Sequence, residues 1–122
     1  MKNRFHLSIA AKEIEKEAQF LCELLGGTVT HRDPSGYINI DLQGCQITLK
    51  TNSLVEVNLQ DFHFGFNLDS DEFEMISSRI IESKYQDIVM KPKVIDAGTP
   101  IERKKMYLKS PTGYLVELKG YP

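Results

Sequence analysis

The sequence predicts an α+β fold of two βαβββ modules that together form an open curved sheet. Two short apolar strands, at residues 5–9 and 62–66, each carry a histidine at the second position, and a helix-like segment and further strand-like segments follow each of them. The last strands of the two halves also match, at 44–50 and 113–119, and this alignment places Glu117 opposite Thr48. Since one such module leaves a sheet face open, we expect two modules to pair into one concave surface with the helices outside.

The first module begins with a strand and a helix. The apolar side chains of the helix follow the spacing of one buried face: Ile14, Ala18, Leu21 and Leu25. The glycines at 26–27 should end the helix, since glycine adopts the left-handed conformation easily. Three strands follow, at 28–30, 37–42 and 46–50, with a Pro-Gly turn at 33–36 between the first two.

The second module repeats this order. Asp69 or Asp71 can cap its helix, in which these apolar residues predict the buried face: Phe73, Ile76, Ile80 and Ile81. The strand 88–95 contains Pro92, so we expect an edge strand or a bulge there. A loop at 96–102 follows. The last two strands, 105–109 and 114–119, are joined by a turn at 110–113.

A chain of 122 residues fits one compact domain, and at this length it can bury a sizeable core. The repeat divides this single domain, 1–122, into module one at 1–52 and module two at 61–122. The segment 53–60 has no strong period and polar flanks, so it is predicted to be a linker.

Charge and cysteine usage narrow the classes of partner. The net charge of −2 gives no electrostatic footprint for nucleic acid, and the basic run 103–105 is expected to be a solvated loop and strand edge. Cys22 and Cys45 lack CxxC spacing and are predicted to be buried, reduced thiols. The first strand begins at Phe5, so we expect no signal peptide, and no apolar run approaches the roughly 20 residues of a membrane span. We therefore expect a cytoplasmic protein without a membrane partner.

Strand alternation predicts which face each polar residue uses. His6, His63 and Glu117 each lie on the face of their strand that is less continuously apolar, so all three can point into one cup. Two histidines and one carboxylate are the ligand set of a mononuclear metal site with open positions. The competing interpretation is that the histidines are hydrogen-bonded structural residues. His31 lies between polar residues near a turn and is expected to be exposed.

The sequence resembles the vicinal oxygen chelate superfamily, which includes glyoxalase I, extradiol dioxygenases, and fosfomycin and bleomycin resistance proteins. The resemblance covers nearly the whole chain and is carried by five motifs in order: the Phe-His-Leu opening, 20–26, 61–66, 96–100 and 107–118. It implies a fold of paired βαβββ modules around a metal bound by His6, His63 and Glu117. It also implies a homodimer.

The chain departs from the family pattern at Leu21, Ser110 and Thr48. Thr48 occupies the position that glyoxalase I fills with a fourth, carboxylate ligand. The remaining triad would leave sites free for a bidentate substrate and dioxygen. Tyr107 lies ten residues before Glu117, a spacing similar to that of extradiol dioxygenases, and the resemblance implies that its phenol hydrogen-bonds a substrate oxygen. Those enzymes also use a histidine from the end of the first module that does not bind the metal itself, and it has no counterpart between Gly44 and Asn52.

These observations lead to the hypothesis of a dioxygenase-like metalloenzyme acting on a small substrate that chelates the metal through adjacent oxygens. A divalent ion is expected, Fe(II) or Mn(II) by preference, with zinc, nickel and magnesium compatible with the same donors. Tyr107 and Glu117 are the candidate catalytic residues. One alternative is a glyoxalase-type lyase or isomerase, in which Glu117 moves a proton. Another is a non-enzymatic binder of small molecules similar to bleomycin resistance proteins.

Overall fold

The computed structural model describes residues 3–57 and 62–122. The chain divides into two compact units, Met1–Val57 and Asn58–Pro122, each with one helical segment and one four-stranded sheet. This is the α+β class that the sequence predicts. Residues 58–60 of the predicted linker, and Asp61 at the start of the predicted second module, lie outside the described residues.

The first unit has the order strand, helix, three strands. Its elements are β1 (His6–Ala11), α1 (Ile14–Gln19), β2 (Thr28–Arg32), β3 (Ile38–Leu42) and β4 (Cys45–Thr51). The strand order in the sheet is β1-β4-β3-β2, with β1 parallel to β4 and the other pairs antiparallel. Alternate residues of β3 are buried, at Ile38, Ile40 and Leu42, so one sheet face supplies the core of this unit.

The first helix does not keep α-helical geometry to its end. After α1 the chain continues as a π-helical turn, Phe20–Leu24. Of the predicted stripe, Ala18, Leu21 and Leu25 are buried as expected, while Ile14 is only half-buried. Gly26 then adopts a φ of +88°, which ends the helix at the predicted place.

The second unit repeats the same order. Its elements are β5 (Phe64–Asp69), α2 (Ser70–Glu82), β6 (Ile88–Ile95), β7 (Arg103–Lys109) and β8 (Leu115–Tyr121), with strand order β5-β8-β7-β6. The Asp69 carboxylate accepts a hydrogen bond from the Glu72 backbone N–H and so caps α2, as predicted. Phe73, Ile76 and Ile80 are buried, but Ile81 is 46% exposed, which corrects the predicted stripe. One residue beyond Ile80 turns the side chain by about 100° around the helix, away from the core.

The strand that contains Pro92 is irregular, as predicted. In β6 the register against β7 shifts between Ile88 and Met90 and again between Met90 and Lys93. Among the described strands β6 pairs only with β7, so it lies at a sheet edge. Proline lacks an N–H donor and is tolerated there.

The pairing register demonstrates the internal repeat. Ser8 of β1 lies opposite Thr48 of β4, and the corresponding pair in the second unit is Gly65 and Glu117. On the other side, Thr48 lies opposite Asn39, and Glu117 lies opposite Tyr107. Thr48 and Glu117 therefore occupy the same position in two sheets of the same topology.

Three further expectations change in detail. Phe5 precedes β1 and is 68% exposed, so the buried face of that strand begins beyond it. The basic run 103–105 is half-buried, and each of its residues forms an ion pair, with Asp96, Glu74 and Glu117 in turn.

Cys22 and Cys45 are free, as expected, but only half-buried. Partial burial is the main reason that the pKa of each thiol is raised.

No helix in residues 3–57 and 62–122 is long and apolar enough to cross a membrane.

Candidate functional site

Glu117 is a buried carboxylate in the middle of β8. The residue is 6% exposed, and strand alternation places its side chain opposite the buried Val116 and Leu118. Burial of a carboxylate is costly unless other groups compensate for lost hydration. The neighbours of Glu117 therefore decide what this residue can do.

Tyr107, the cross-strand neighbour of Glu117 on β7, supplies the first compensation. Its hydroxyl donates a hydrogen bond to Glu117 Oε2. This hydrogen bond, with burial and the negative charge of Glu117, raises the pKa of Tyr107 to about 12. The phenol is therefore a donor at any physiological pH, and it orients the carboxylate.

Two lysines flank the same carboxylate. Lys105 Nζ lies 3.5 Å from Glu117 Oε2, and Lys119 Nζ lies 3.6 Å from Glu117 Oε1. Lys105 and Lys119 lie opposite each other across β7 and β8, where two like charges would repel. The carboxylate between them reduces this repulsion.

His63 approaches Glu117 from the residue just before β5. Its Nε2 lies 3.6 Å from Glu117 Oε1, and its ring packs edge-on against Tyr107 with the ring centroids 6.3 Å apart. The imidazole is about half exposed, at 49% of the side chain. The prediction of a strand at 62–66 placed His63 inside it, but the observed strand begins at Phe64, so His63 lies just before the strand; its ring still reaches the predicted partner.

The pKa of Glu117 reflects opposing effects. Burial, the largest, raises it, while the Tyr107 hydrogen bond and the charges of Lys119, Lys105 and His63 lower it. The lowering effects together prevail, so the pKa of Glu117 is below its usual value. Glu117 is therefore a stable anion, which suits a metal ligand better than a proton acceptor.

Gly65 lets β5 approach β8 closely beside this carboxylate. A Cβ on Gly65 would lie 1.9 Å from the Glu117 carbonyl oxygen and 3.0 Å from the Glu117 Cβ. Any side chain here would push β8 away and move Glu117. Glycine in a strand is often a sign of such close backbone approach.

The equivalent face of the first unit is neutral at the corresponding position. The Thr48 hydroxyl donates to Asn39 Oδ1 at 2.8 Å, so a hydrogen bond joins the same two positions as in the Tyr107–Glu117 pair, without the charge and with donor and acceptor exchanged. His6 is exposed at the start of β1, and its Nδ1 lies 3.0 Å from Gln46 Oε1. Because Gln46 Oε1 is an acceptor, Nδ1 of His6 donates the hydrogen of this bond. In the neutral imidazole Nε2 then keeps its lone pair.

A pocket of about 430 Å³ opens on this face of the first unit. It is lined by residues of β1, β3 and β4 and by Tyr37, which precedes β3. The lining residues include His6, Ser8, Tyr37, Asn39, Thr48 and Lys50. Each lining residue carries a polar or charged group, and none of them is a carboxylate.

The predicted site residues thus fall into two groups. The second unit brings together His63, Glu117 and Tyr107, and the first unit carries His6. Within 3–57 and 62–122, no three His, Cys, Asp or Glu side chains are grouped to hold a metal ion. The triad that includes His6 stays a prediction.

Sequence reasoning missed two neighbours of Glu117, Lys105 and Lys119. The signal was available, since each lies two residues from a predicted site residue and so shares its strand face. It also missed Gln46, which holds the His6 imidazole. Its position opposite His6 in the parallel β1–β4 pair depends on a long-range register.

Solved structures resemble this chain along its whole length. A glyoxalase/bleomycin resistance protein/dioxygenase from Alicyclobacillus acidocaldarius matches with a TM-score of 0.82 and 24% identity over 98% of this chain and 92% of that chain. The chain has the glyoxalase/bleomycin resistance/dioxygenase fold.

Other structures with this fold have different names. The fosfomycin resistance protein FosX from Listeria monocytogenes matches with a TM-score of 0.79 and 16% identity over 100% of this chain and 95% of that chain. A glyoxalase/dioxygenase from Nostoc punctiforme matches with a TM-score of 0.78 and 17% identity over 99% and 92%. No protein-family model matches the sequence, and no curated protein matches it. The similarity therefore concerns the fold, and function has to be argued from the site.

Proposed function

We propose that this chain is a metal-dependent enzyme of the vicinal oxygen chelate superfamily, dioxygenase-like in its chemistry. Its substrate would be a small molecule that presents two adjacent oxygens. One observation carries the proposal: the buried, anionic Glu117 is held by Tyr107 on one oxygen while its other oxygen lies 3.6 Å from His63 Nε2.

The donor set fits a first-row divalent ion. Nitrogen and oxygen donors bind such ions at about 2.0–2.2 Å, so two ligands of one ion lie roughly 3–3.5 Å apart. The 3.6 Å between His63 Nε2 and Glu117 Oε1 needs little adjustment to reach that separation. Imidazole and carboxylate suit Fe(II) and Mn(II), which we favour, as well as zinc and nickel.

His6 is proposed as the third ligand because it is the repeat equivalent of His63. Gln46 bonds its Nδ1, which leaves Nε2 as the donor nitrogen. Hydrogen bonds of this kind fix the tautomer of metal-binding histidines. Gln46 is thus a positioning residue in this proposal.

When bound, a divalent ion supplies Lewis-acid stabilisation of negative charge on substrate oxygens. The residues of the chain do the rest. Tyr107 orients Glu117, and its phenol oxygen can still accept a hydrogen bond from a substrate hydroxyl. The Tyr107 hydrogen bond, together with Lys119 and Lys105, keeps Glu117 ionised, which lowers its strength as a base and favours the ligand role over proton transfer.

The proposal is tested first by metal analysis of protein purified without an affinity tag. We expect one ion per chain, and a loss of stoichiometric binding in His6→Ala, His63→Ala and Glu117→Gln. The matched control is His31→Ala, since His31 is exposed and its Nε2 hydrogen-bonds to Asp33 rather than to a proposed ligand. Full metal occupancy in His63→Ala would contradict the ligand set.

Activity separates the candidate reactions. Oxygen consumption with a panel of catechols, Fe(II) and reductant tests the dioxygenase reaction. Isomerisation of a hemithioacetal tests the glyoxalase alternative, and inactivation of fosfomycin tests the activity suggested by the name of the FosX neighbour. Ligand binding without any turnover would favour the non-enzymatic alternative.

We also propose that the protein is a homodimer, since each open sheet ends in an edge strand that needs covering. Light scattering should give twice the mass of one chain. A monomer at high micromolar concentration would contradict the proposal.

A further inference from the structure

The repeat places a lysine at the same position in each sheet. Lys50 follows Thr48 by two residues on β4, and Lys119 follows Glu117 by two residues on β8. In each strand the lysine shares a face with the residue two positions before it. The two lysines are therefore equivalent, but the residues beside them are not.

Among residues 3–57 and 62–122, only one of these two lysines has a carboxylate within ion-pair distance. Lys119 Nζ lies 3.6 Å from Glu117 Oε1. In the first unit Thr48 replaces the glutamate, and its hydroxyl is committed to Asn39. Lys50 is exposed, and in the described part of the chain it has no carboxylate within ion-pair distance. Its charge is available to another anion.

The surroundings of Lys50 are suited to an anion. Two pockets, of about 430 and 360 Å³, both include Tyr37 and Lys50 in their linings, so these two side chains lie where the pockets meet. Neither lining contains an aspartate or a glutamate. The Ser8 hydroxyl, in the first of these linings, can add a hydrogen bond to an anionic oxygen.

We propose that Lys50 binds an anionic oxygen group of the substrate, a carboxylate or a phosphonate, with Tyr37 beside it. The inference rests on the proposed function only in assigning the anion to the substrate. A charge-assisted hydrogen bond from an ammonium group is stronger than a neutral one. Lys50 is thus a specificity residue, which selects acids over neutral molecules of the same shape.

The test measures binding of three matched probes to metal-free, full-length protein by two-dimensional NMR: benzoate, phenylphosphonate and benzamide. We expect the two anions to shift the backbone signals of Ser8, Thr48 and Lys50, and benzamide to leave them unchanged. Comparing benzoate with phenylphosphonate shows which kind of anion is preferred.

Lys50→Met should weaken anion binding roughly tenfold or more, and Lys50→Arg should largely retain it. Lys91→Met, at an exposed lysine of β6, is the matched control and should bind like the wild type. A second variant leaves Lys50 in place: Thr48→Glu copies the second unit and sets a carboxylate beside the lysine. It should also lose anion binding, with an unchanged circular dichroism spectrum.

Unaltered benzoate binding in Lys50→Met, or benzamide binding equal to that of benzoate, would overturn the inference. These results do not depend on whether the proposed function is correct, because the binding test involves neither a metal ion nor turnover. A chain that binds one metal and consumes oxygen but ignores the charge of the probe would keep the function and lose the role of Lys50. A chain that binds anions through Lys50 but binds no metal in the metal analysis would keep the role of Lys50 and lose the function.

Discussion

The two sheet faces of this protein have the same frame and different chemistry. In the first unit the central cross-strand pair is Asn39 and Thr48, joined by a neutral hydrogen bond. In the second unit the same positions hold Tyr107 and Glu117, joined by a hydrogen bond to a buried carboxylate. The comparison teaches that register and function are separable, since one pairing pattern supports either a charged or a neutral centre.

The difference also divides the proposed work between the units. The second unit concentrates charge, with a carboxylate between two lysines and beside a histidine. The first unit has a pocket lined by a histidine and by Lys50, which has no carboxylate within ion-pair distance among the residues that the structure describes. The second unit is therefore suited to binding a metal ion, and the first unit is suited to recognising a substrate anion.

Exchanging the residues beside the central pair should have the largest effect. Gly65→Ser introduces the residue that the first unit has at the equivalent position, Ser8. Because a Cβ there would lie 1.9 Å from the Glu117 carbonyl oxygen, we expect unfolding to become easier by about 3 kcal/mol. For a chain of this length that is a fall in melting temperature of roughly 10 °C, measurable by calorimetry.

The reverse exchange, Ser8→Gly, is the control for this prediction. It relieves no clash and adds only chain entropy to the unfolded state, so its cost should be about 1 kcal/mol or less. Equal melting temperatures for the two variants would mean that the close approach at Gly65 is unimportant for stability.

Removing the central hydrogen bonds should have intermediate effects that differ between the units. Tyr107→Phe deletes a donor to a buried carboxylate and should cost about 2 kcal/mol in the free energy of unfolding of the metal-free protein. Thr48→Val deletes a donor to a neutral amide and should cost about 1 kcal/mol. Urea denaturation with a common slope measures both.

Tyr107→Phe combined with Glu117→Gln provides the check. Once the carboxylate is neutral, loss of the phenol should cost less than it does beside Glu117. If Tyr107→Phe is as mild as Thr48→Val in the wild-type background, the charge of Glu117 does not strengthen the bond.

The smallest expected effect concerns two turns of the same local structure. In one, Gly36 N–H donates to the Asp33 carbonyl; in the other, Gly113 N–H donates to that of Ser110, both at 2.9 Å. The pKa of Asp33 is lowered to about 2, chiefly by hydrogen bonds from the hydroxyl and the backbone N–H of Ser35. A hydrogen bond from His31 lowers it further. Because the folded pKa is depressed, the stabilisation is present above the ordinary value of 3.8 and is lost as the pH falls toward 2.

Asp33→Ser gives the first turn the residue type that the second turn has at the same position, Ser110. We expect the stability difference between wild type and this variant to shrink between pH 4 and pH 2. NMR titration of the Asp33 carboxyl carbon measures the pKa directly. A midpoint near 3.8 would contradict the hydrogen-bonded geometry, and Asp71→Ser, at an exposed residue of α2, serves as the comparison variant.

Much of the fold could be predicted because it depends on neighbours along the chain. The repeat, the cap at Asp69, the helix end at Gly26 and the irregular strand at Pro92 all follow from short sequence patterns. The face on which Tyr107 and Glu117 lie follows from the two-residue period of strands. The prediction that Ile81 is buried is wrong, because one residue changes the direction of a helical side chain by about 100°.

By itself, then, the sequence determined the order of elements, the duplication and the candidate residues His6, His63, Tyr107 and Glu117. Only the tertiary structure decided which groups surround the carboxylate. The hydrogen bond of Tyr107, the lysines on either side and the approach of Gly65 depend on cross-strand register between segments distant in the chain. Register sets which atoms meet and therefore the charge state of Glu117, because a pKa responds to groups within a few ångströms and not to sequence spacing.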